Sequence, residues 1–174
     1  MMKKILPVMI LLGVSTNTFA KTADTTVAIK ASVTGATCSV VPTPAEINFN
    51  TMTAADIGNN SIAAKEVALA LNCDWIAKQV KVTFTPGAGT VAGNNNVMLS
   101  GKAGLGFKLQ FANTAAGTLA DIPFGTQQNW AGTTPSTSPY KLGGKIALKP
   151  FYISGENIAA GDVNTNLAIN VQYD

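Results

Sequence analysis

The sequence predicts an all-β sandwich. Three observations lead there: period-two alternation of apolar and polar residues recurs along the chain, helical periodicity is scarce, and polar turn residues separate the apolar runs. Two facing sheets allow each strand to bury one face, which accounts for the alternation.

Taken in order, Val27, Ile29, Ala31 and Val33 alternate with Ala28, Lys30, Ser32 and Thr34. Ile47 and Phe49 flank Asn48, and Val67, Leu69 and Leu71 alternate along residues 66–73. Val80, Val82 and Phe84 follow, then Leu105, Phe107, Leu109 and Phe111 across Lys108 and Gln110. Ile146, Leu148 and Tyr152 mark a strand over residues 144–154, where Pro150 points to a bulge or an edge position. Leu167, Ile169, Val171 and Tyr173 share one face of the last run, with Ala168, Asn170, Gln172 and Asp174 on the other. Turn chemistry falls at residues 56–60, 86–89, 93–96, 117 and 132–135. Thr53-Ala54-Ala55 and residues 62–66 could each form a helical turn. Trp75 and Trp130 stand in contexts unlike the buried tryptophan of antibody domains, Trp130 among polar loop residues.

The first twenty residues have the layout of a secretory signal peptide. Lys3 and Lys4 form a positive start, residues 5–14 are apolar, and Thr18-Phe19-Ala20 places small residues before a cleavage point after Ala20. The apolar run is well short of the roughly 20 residues a spanning helix needs. Removing this segment leaves ten of the 12 lysines against nine acids, so the mature chain is close to neutral. Export makes a disulfide permissible, and the only two cysteines, Cys38 and Cys73, are then expected to pair.

Composition excludes several kinds of chemistry. There is no histidine, so His-based triads, imidazole acid–base pairs and His metal sites are absent. Two cysteines cannot build a Cys-rich zinc site. All basic residues are lysine and none form a long run, which argues against nucleic-acid binding. The glycines at 87, 89 and 101–106 lack the P-loop pattern and read as turn glycines. The carboxylates are scattered, and the sequon Asn59-Asn60-Ser61 reads as a surface turn. No catalytic residue, metal site or cofactor site is expected, and the chain is read as a non-enzyme.

The two ends carry the remaining signal. An alternating, β-branched stretch directly follows the cleavage point, where an unprotected apolar strand would be an aggregation hazard. The last run needs a partner on each side, and nothing after it is expected to supply one.

With these features the chain resembles the subunits of chaperone–usher fimbriae, the type 1-like pilins. The resemblance rests on the signal peptide, the cysteine pair 35 apart, Gly161 and the penultimate Tyr173. It extends to Ala23-Asp24-Thr25-Thr26-Val27-Ala28-Ile29-Lys30, which is similar to the donor strands of minor tip-type subunits. Gly104-Leu105-Gly106-Phe107-Lys108-Leu109 and Ile158-Ala159-Ala160-Gly161 also fit the family pattern.

The resemblance implies an incomplete immunoglobulin-like sandwich that lacks its C-terminal strand and is completed by donor-strand complementation. The implied organisation is a signal peptide at 1–20, a donor-strand extension at 21–33 and a pilin domain at 34–174. Thr25, Val27, Ile29, Ala31 and Val33 would form the inserting row; the family usually has glycine where Ala31 stands. Gly161, Leu167, Ile169, Val171 and Tyr173 would form the acceptor groove and chaperone-binding strand. The implied partners are a periplasmic pilus chaperone, an outer-membrane usher and neighbouring pilin subunits. The implied destination is the bacterial surface, reached through the periplasm. The competing expectation is a secreted β-sandwich binding module, adhesin or lectin-like.

Overall fold

The computed structural model describes residue 31 and residues 38–75, 79–130 and 140–173. Thr25, Val27, Ile29 and Val33, the signal segment and the turn at 132–135 lie outside the described residues; Ala31 is exposed and outside any strand.

Among the described residues, ten strands and one short helix follow one another as β1 (Cys38–Thr43), α1 (Ala54–Gly58), β2 (Lys65–Cys73), β3 (Lys81–Pro86), β4 (Thr90–Val91), β5 (Asn94–Leu99), β6 (Leu105–Ala112), β7 (Ala120–Asp121), β8 (Gln128–Asn129), β9 (Tyr140–Tyr152) and β10 (Leu167–Gln172). They form two antiparallel sheets. The larger runs β1-β2-β9-β6-β5-β4, with β7 also on β6; the smaller runs β10-β3-β8.

The alternation in β2, β3 and β6 does what period two demands. Val67, Leu69, Leu71, Val82, Phe84, Phe107 and Leu109 are buried in one shared core between the sheets. Phe84 of the smaller sheet lies 5.4 Å from Phe111 of the larger, ring centroid to centroid. Pro150 sits beyond Leu148, where β9 has lost β2 and keeps only β6, so the proline takes a local edge position without a bulge. Cys38 and Cys73 face each other in the β1–β2 ladder and are bonded, tying the first strand to its neighbour.

Several expectations are corrected. Trp130 is not a polar-loop residue: it is 1 % exposed and packs edge-on against Phe111 at 6.2 Å. Gly144 makes room for it, since a Cβ there would lie 2.8 Å from Trp130 Nε1. Trp75, by contrast, is 63 % exposed. Residues 62–66 do not turn into helix, because Lys65 and Glu66 already pair with β9. Asn94 begins a strand where residues 93–96 read as a turn. The helical turn at 53–55 does form as the start of α1, capped by the Thr53 hydroxyl accepting from the Asp56 N–H at 3.1 Å.

One flank of the sandwich is bridged by backbone. Ile122 N–H donates to Leu109, Phe124 N–H to Asn95 and Gly125 N–H to Phe84, so the 122–125 connection crosses from β6 and β5 to β3. The other flank, between β1 and β10, has no such bridge among the described residues.

Candidate functional site, an open groove between the sheets

Among the described residues β10 pairs with β3 alone, from Leu167 opposite Pro86 to Gln172 opposite Lys81, and β1 pairs with β2 alone. Each strand therefore presents an outer edge whose N–H and C=O groups meet no ladder partner among the described residues, and the two edges border one groove. Both apolar rows along it are incompletely covered. Leu167, Ile169, Val171 and Tyr173 on one side, and Cys38, Val40, Ile47 and Phe49 on the other, touch the core but are only partly buried. The matching rows of β2 and β3 are closed over, with Leu71, Val82 and Phe84 at 0 % exposure.

The wall facing β10 is the stretch that read as a strand around Asn48. Residues 46–50 belong to no ladder. Side chains hold the wall instead. Phe49 stacks on Phe107 at 5.5 Å, Lys65 Nζ donates to the Asn48 carbonyl and lies 5.6 Å from the Phe49 ring, and Asn50 N–H donates to Asn48 Oδ1 at 2.7 Å.

The groove has two halves. The narrower, of about 280 Å³, is apolar: Pro42, Pro44, Ala45, Leu167 and Ile169 line its sides, with Val67, Met98, Phe107, Ile146 and Leu148 among its lining residues. The wider, of about 980 Å³, runs between residues 46–52 and 158–165 and is rich in polar side chains, including Asn48, Asn50, Thr51, Asp162 and Asn164. Glu46, Ile47, Phe49 and Thr165 line both and so mark the junction. The Thr165 hydroxyl is buried there with no hydrogen-bond partner among the described residues. At the far end of β10, Cys38 N–H donates to Tyr173 Oη at 3.1 Å, joining the two edges across the groove.

The structure places the sequence-predicted groove residues along one side. Leu167 and Ile169 line the apolar half, while Gly161 lines the wide half, where a Cβ would lie 2.9 Å from Lys102 Nζ. Val171 and Tyr173 continue the β10 row toward Cys38, outside the cavity lining. Sequence reading missed the opposite wall, 42–49, and the floor. The partly apolar Ile47–Phe49 pair with prolines before it was the available signal.

Comparison with known proteins now decides the family. The family model described as "Fimbrial protein" matches residues 26–174. The chain belongs to the fimbrial protein family. Protein FanG of Escherichia coli is 38% identical over 81 residues, an alignment covering 45% of this chain and 44% of FanG. The chain thus matches less than half the length of that curated relative. The crystal structure of the P pilus rod subunit PapA superposes with a TM-score of 0.57 at 20% identity, covering 86% of this chain and 100% of that one. This fimbrial protein shares the pilin fold with PapA, an all-β sandwich whose sheets are not closed.

Proposed function

We propose that this structural fimbrial subunit polymerises by strand exchange through the open groove. Residues 21–33 of one subunit, exposed by removal of the signal peptide at 1–20, enter the groove of the domain at 34–174 in its neighbour. Thr25, Val27, Ile29, Ala31 and Val33 face its floor. Gly161, Leu167, Ile169, Val171 and Tyr173 form the accepting side. In transit a periplasmic chaperone supplies a strand to the same edge, and the exchange takes place at an outer-membrane usher. The product is a fimbrium on the cell surface.

One observation carries this reading: two strand edges unpaired among the described residues border an apolar groove whose side rows are half-covered. A strand entering there gains main-chain hydrogen bonds from the edge and pockets for every second side chain. Burying Val27, Ile29 and Val33 contributes roughly 5–9 kcal/mol at about 1.5–3 each. Sliding by one residue would turn Ala28, Lys30 and Ser32 inward instead. The Thr165 hydroxyl gains a backbone partner from such a strand. Backbone pairing and apolar burial do the work, and no catalytic side chain takes part.

Chain geometry favours exchange between copies. A strand antiparallel to β10 starts at the Tyr173 end and finishes toward Gly161. Nine residues, 25–33, extend about 30 Å. Tyr173 lies beside Cys38. The five steps from Val33 to Cys38 reach at most about 18 Å. A subunit therefore cannot fill its own groove in that direction.

Deleting residues 21–33 tests the proposal. The truncated chain is expected to remain in the periplasm with its chaperone and to fail to join the subunit ahead of it. Ile29→Lys should act similarly, by driving an unpaired charge into an apolar pocket. Normal incorporation of either chain into fibres overturns the proposal.

A further inference from the structure

Among the described residues the groove carries charge at two places: Glu46 and Asp162 are the charged residues that line it. They are not equivalent. Asp162 lines the wide half alone, whereas Glu46 lines both halves and so sits at mid-groove. Glu46 is exposed and makes no ion pair or hydrogen bond among the described residues. The nearby lysine on that wall, Lys65, is committed to the Asn48 carbonyl and the Phe49 ring. On the opposite rim the outward row of β10 is Ala168, Asn170 and Gln172, all uncharged. A strand lying in this groove therefore meets one free negative charge near its centre.

The chain's own N-terminal stretch has the complementary feature. With Thr25, Val27, Ile29, Ala31 and Val33 turned inward, the outward row is Thr26, Ala28, Lys30 and Ser32. Lys30 is the single charge in that row, and it follows Ile29, the middle of the inward five. Its long stem can lie along the rim while the ammonium stays in water.

Resting on the strand-exchange reading above, we infer that Lys30 of one subunit pairs with Glu46 of the next. The pair makes a second copy of this chain, through its residues 21–33, the preferred occupant of the groove. Apolar burial supplies most of the affinity, and it is insensitive to which apolar strand arrives. A charge pair on the rim supplies discrimination instead, because a strand with an acidic residue at that position brings like charges together.

The test uses the full mature chain, with polymer growth followed by light scattering at low salt. Glu46→Lys and Lys30→Glu each convert attraction into repulsion. Each is expected to slow growth by about 1.5- to fivefold, the range for exposed pairs. The double reversal should return growth to within about twofold of the parent, and in roughly 0.5 M salt all four chains should converge. Asp162→Lys, in the wide half away from the junction, should change growth less than Glu46→Lys. Glu46 and Asp162 are exposed, and matched thermal melts verify that all the variants fold.

A double reversal no better than the single ones overturns the pairing. So does an Asp162→Lys effect equal to that of Glu46→Lys. Those results leave strand exchange standing if deletion of 21–33 still abolishes growth of the otherwise unaltered chain. A parent chain that stays monomeric overturns both.

Discussion

Replacing Gly104 with alanine would place a methyl carbon 2.8 Å from Ile158 Cα and 2.9 Å from both Asn157 O and Ile158 N. All three are backbone atoms, so no side chain can rotate away. Gly104 also has φ +71°, a conformation that costs an L-residue about 1–2 kcal/mol. Its N–H donates to Glu156 Oε2 at 2.7 Å, its carbonyl accepts from Ile153 N–H at 3.0 Å, and the neighbouring Ala103 carbonyl accepts from Ala159 N–H at 3.1 Å. These bonds fix the 157–159 segment, where the wide half of the groove begins. Overpacking against a fixed backbone adds about 1–3 kcal/mol, giving roughly 2–5 kcal/mol in all. For a domain of this size that lowers the melting temperature by about 5–20 °C. The control is Gly101→Ala, at φ +81° with nothing within 4 Å of its Cβ, which carries the conformational cost alone. Circular-dichroism melts of the mature chain and both variants measure the difference, which should be at least about 1 kcal/mol. Equal losses in the two variants would refute the claim that Gly104 is required by the approach of Ile158.

Three further outcomes are expected. Replacing Cys38 and Cys73 together by serine should cost roughly 3–4 kcal/mol, read from urea unfolding and as a lower periplasmic yield. Tyr173→Phe removes the acceptor for the Cys38 N–H, and a loss of about 0.5–1.5 kcal/mol should appear in the same assay. The Thr53 hydroxyl donating to Asp56 holds that carboxyl below its ordinary pKa, with the Thr53 backbone N–H and the Ser61 hydroxyl helping against a smaller opposing effect of desolvation. Because the folded pKa is depressed, this contribution is complete above the unfolded value, about pH 4, and is lost as pH falls through the folded value. Thr53→Ala should move the Asp56 titration upward in a carboxyl-resolved NMR experiment. An unchanged midpoint would count against the capping hydrogen bond.

Much of the architecture was legible because burial imposes period two. Val67, Leu69 and Leu71, Val82 and Phe84, and Leu105 to Phe111 announce strands whose inward rows the core closes over. Leu167, Ile169, Val171 and Tyr173 were equally legible as a row, and so was the likeness to fimbrial subunits. What sequence did not reveal depends on contacts distant along the chain. Trp130 is surrounded in sequence by Gln128, Asn129 and small residues, yet it is buried by Phe111 and by the space over Gly144. Ile47 and Phe49 alternate like a strand but pair with nothing, since Phe107 and Lys65 hold them where a ladder would. The two-residue strands β4, β7 and β8 have too few residues for any period to show. The groove as a cavity was beyond reach for the same reason: its far wall and floor come from β1, β2, β5, β6 and β9 at once.

The bridge between Cys38 and Cys73 has a mechanical consequence. Cys38 is the first residue of β1 and Cys73 the last of β2, and the two stand side by side. A pull on the chain ahead of Cys38 therefore passes through sulfur into β2 and bypasses the six pairs of β1. β2 in turn is held to β9 by nine residue pairs, so the load reaches the middle of the larger sheet. The covalent link thus sets the route by which a filament subunit carries force, in addition to its contribution to folding.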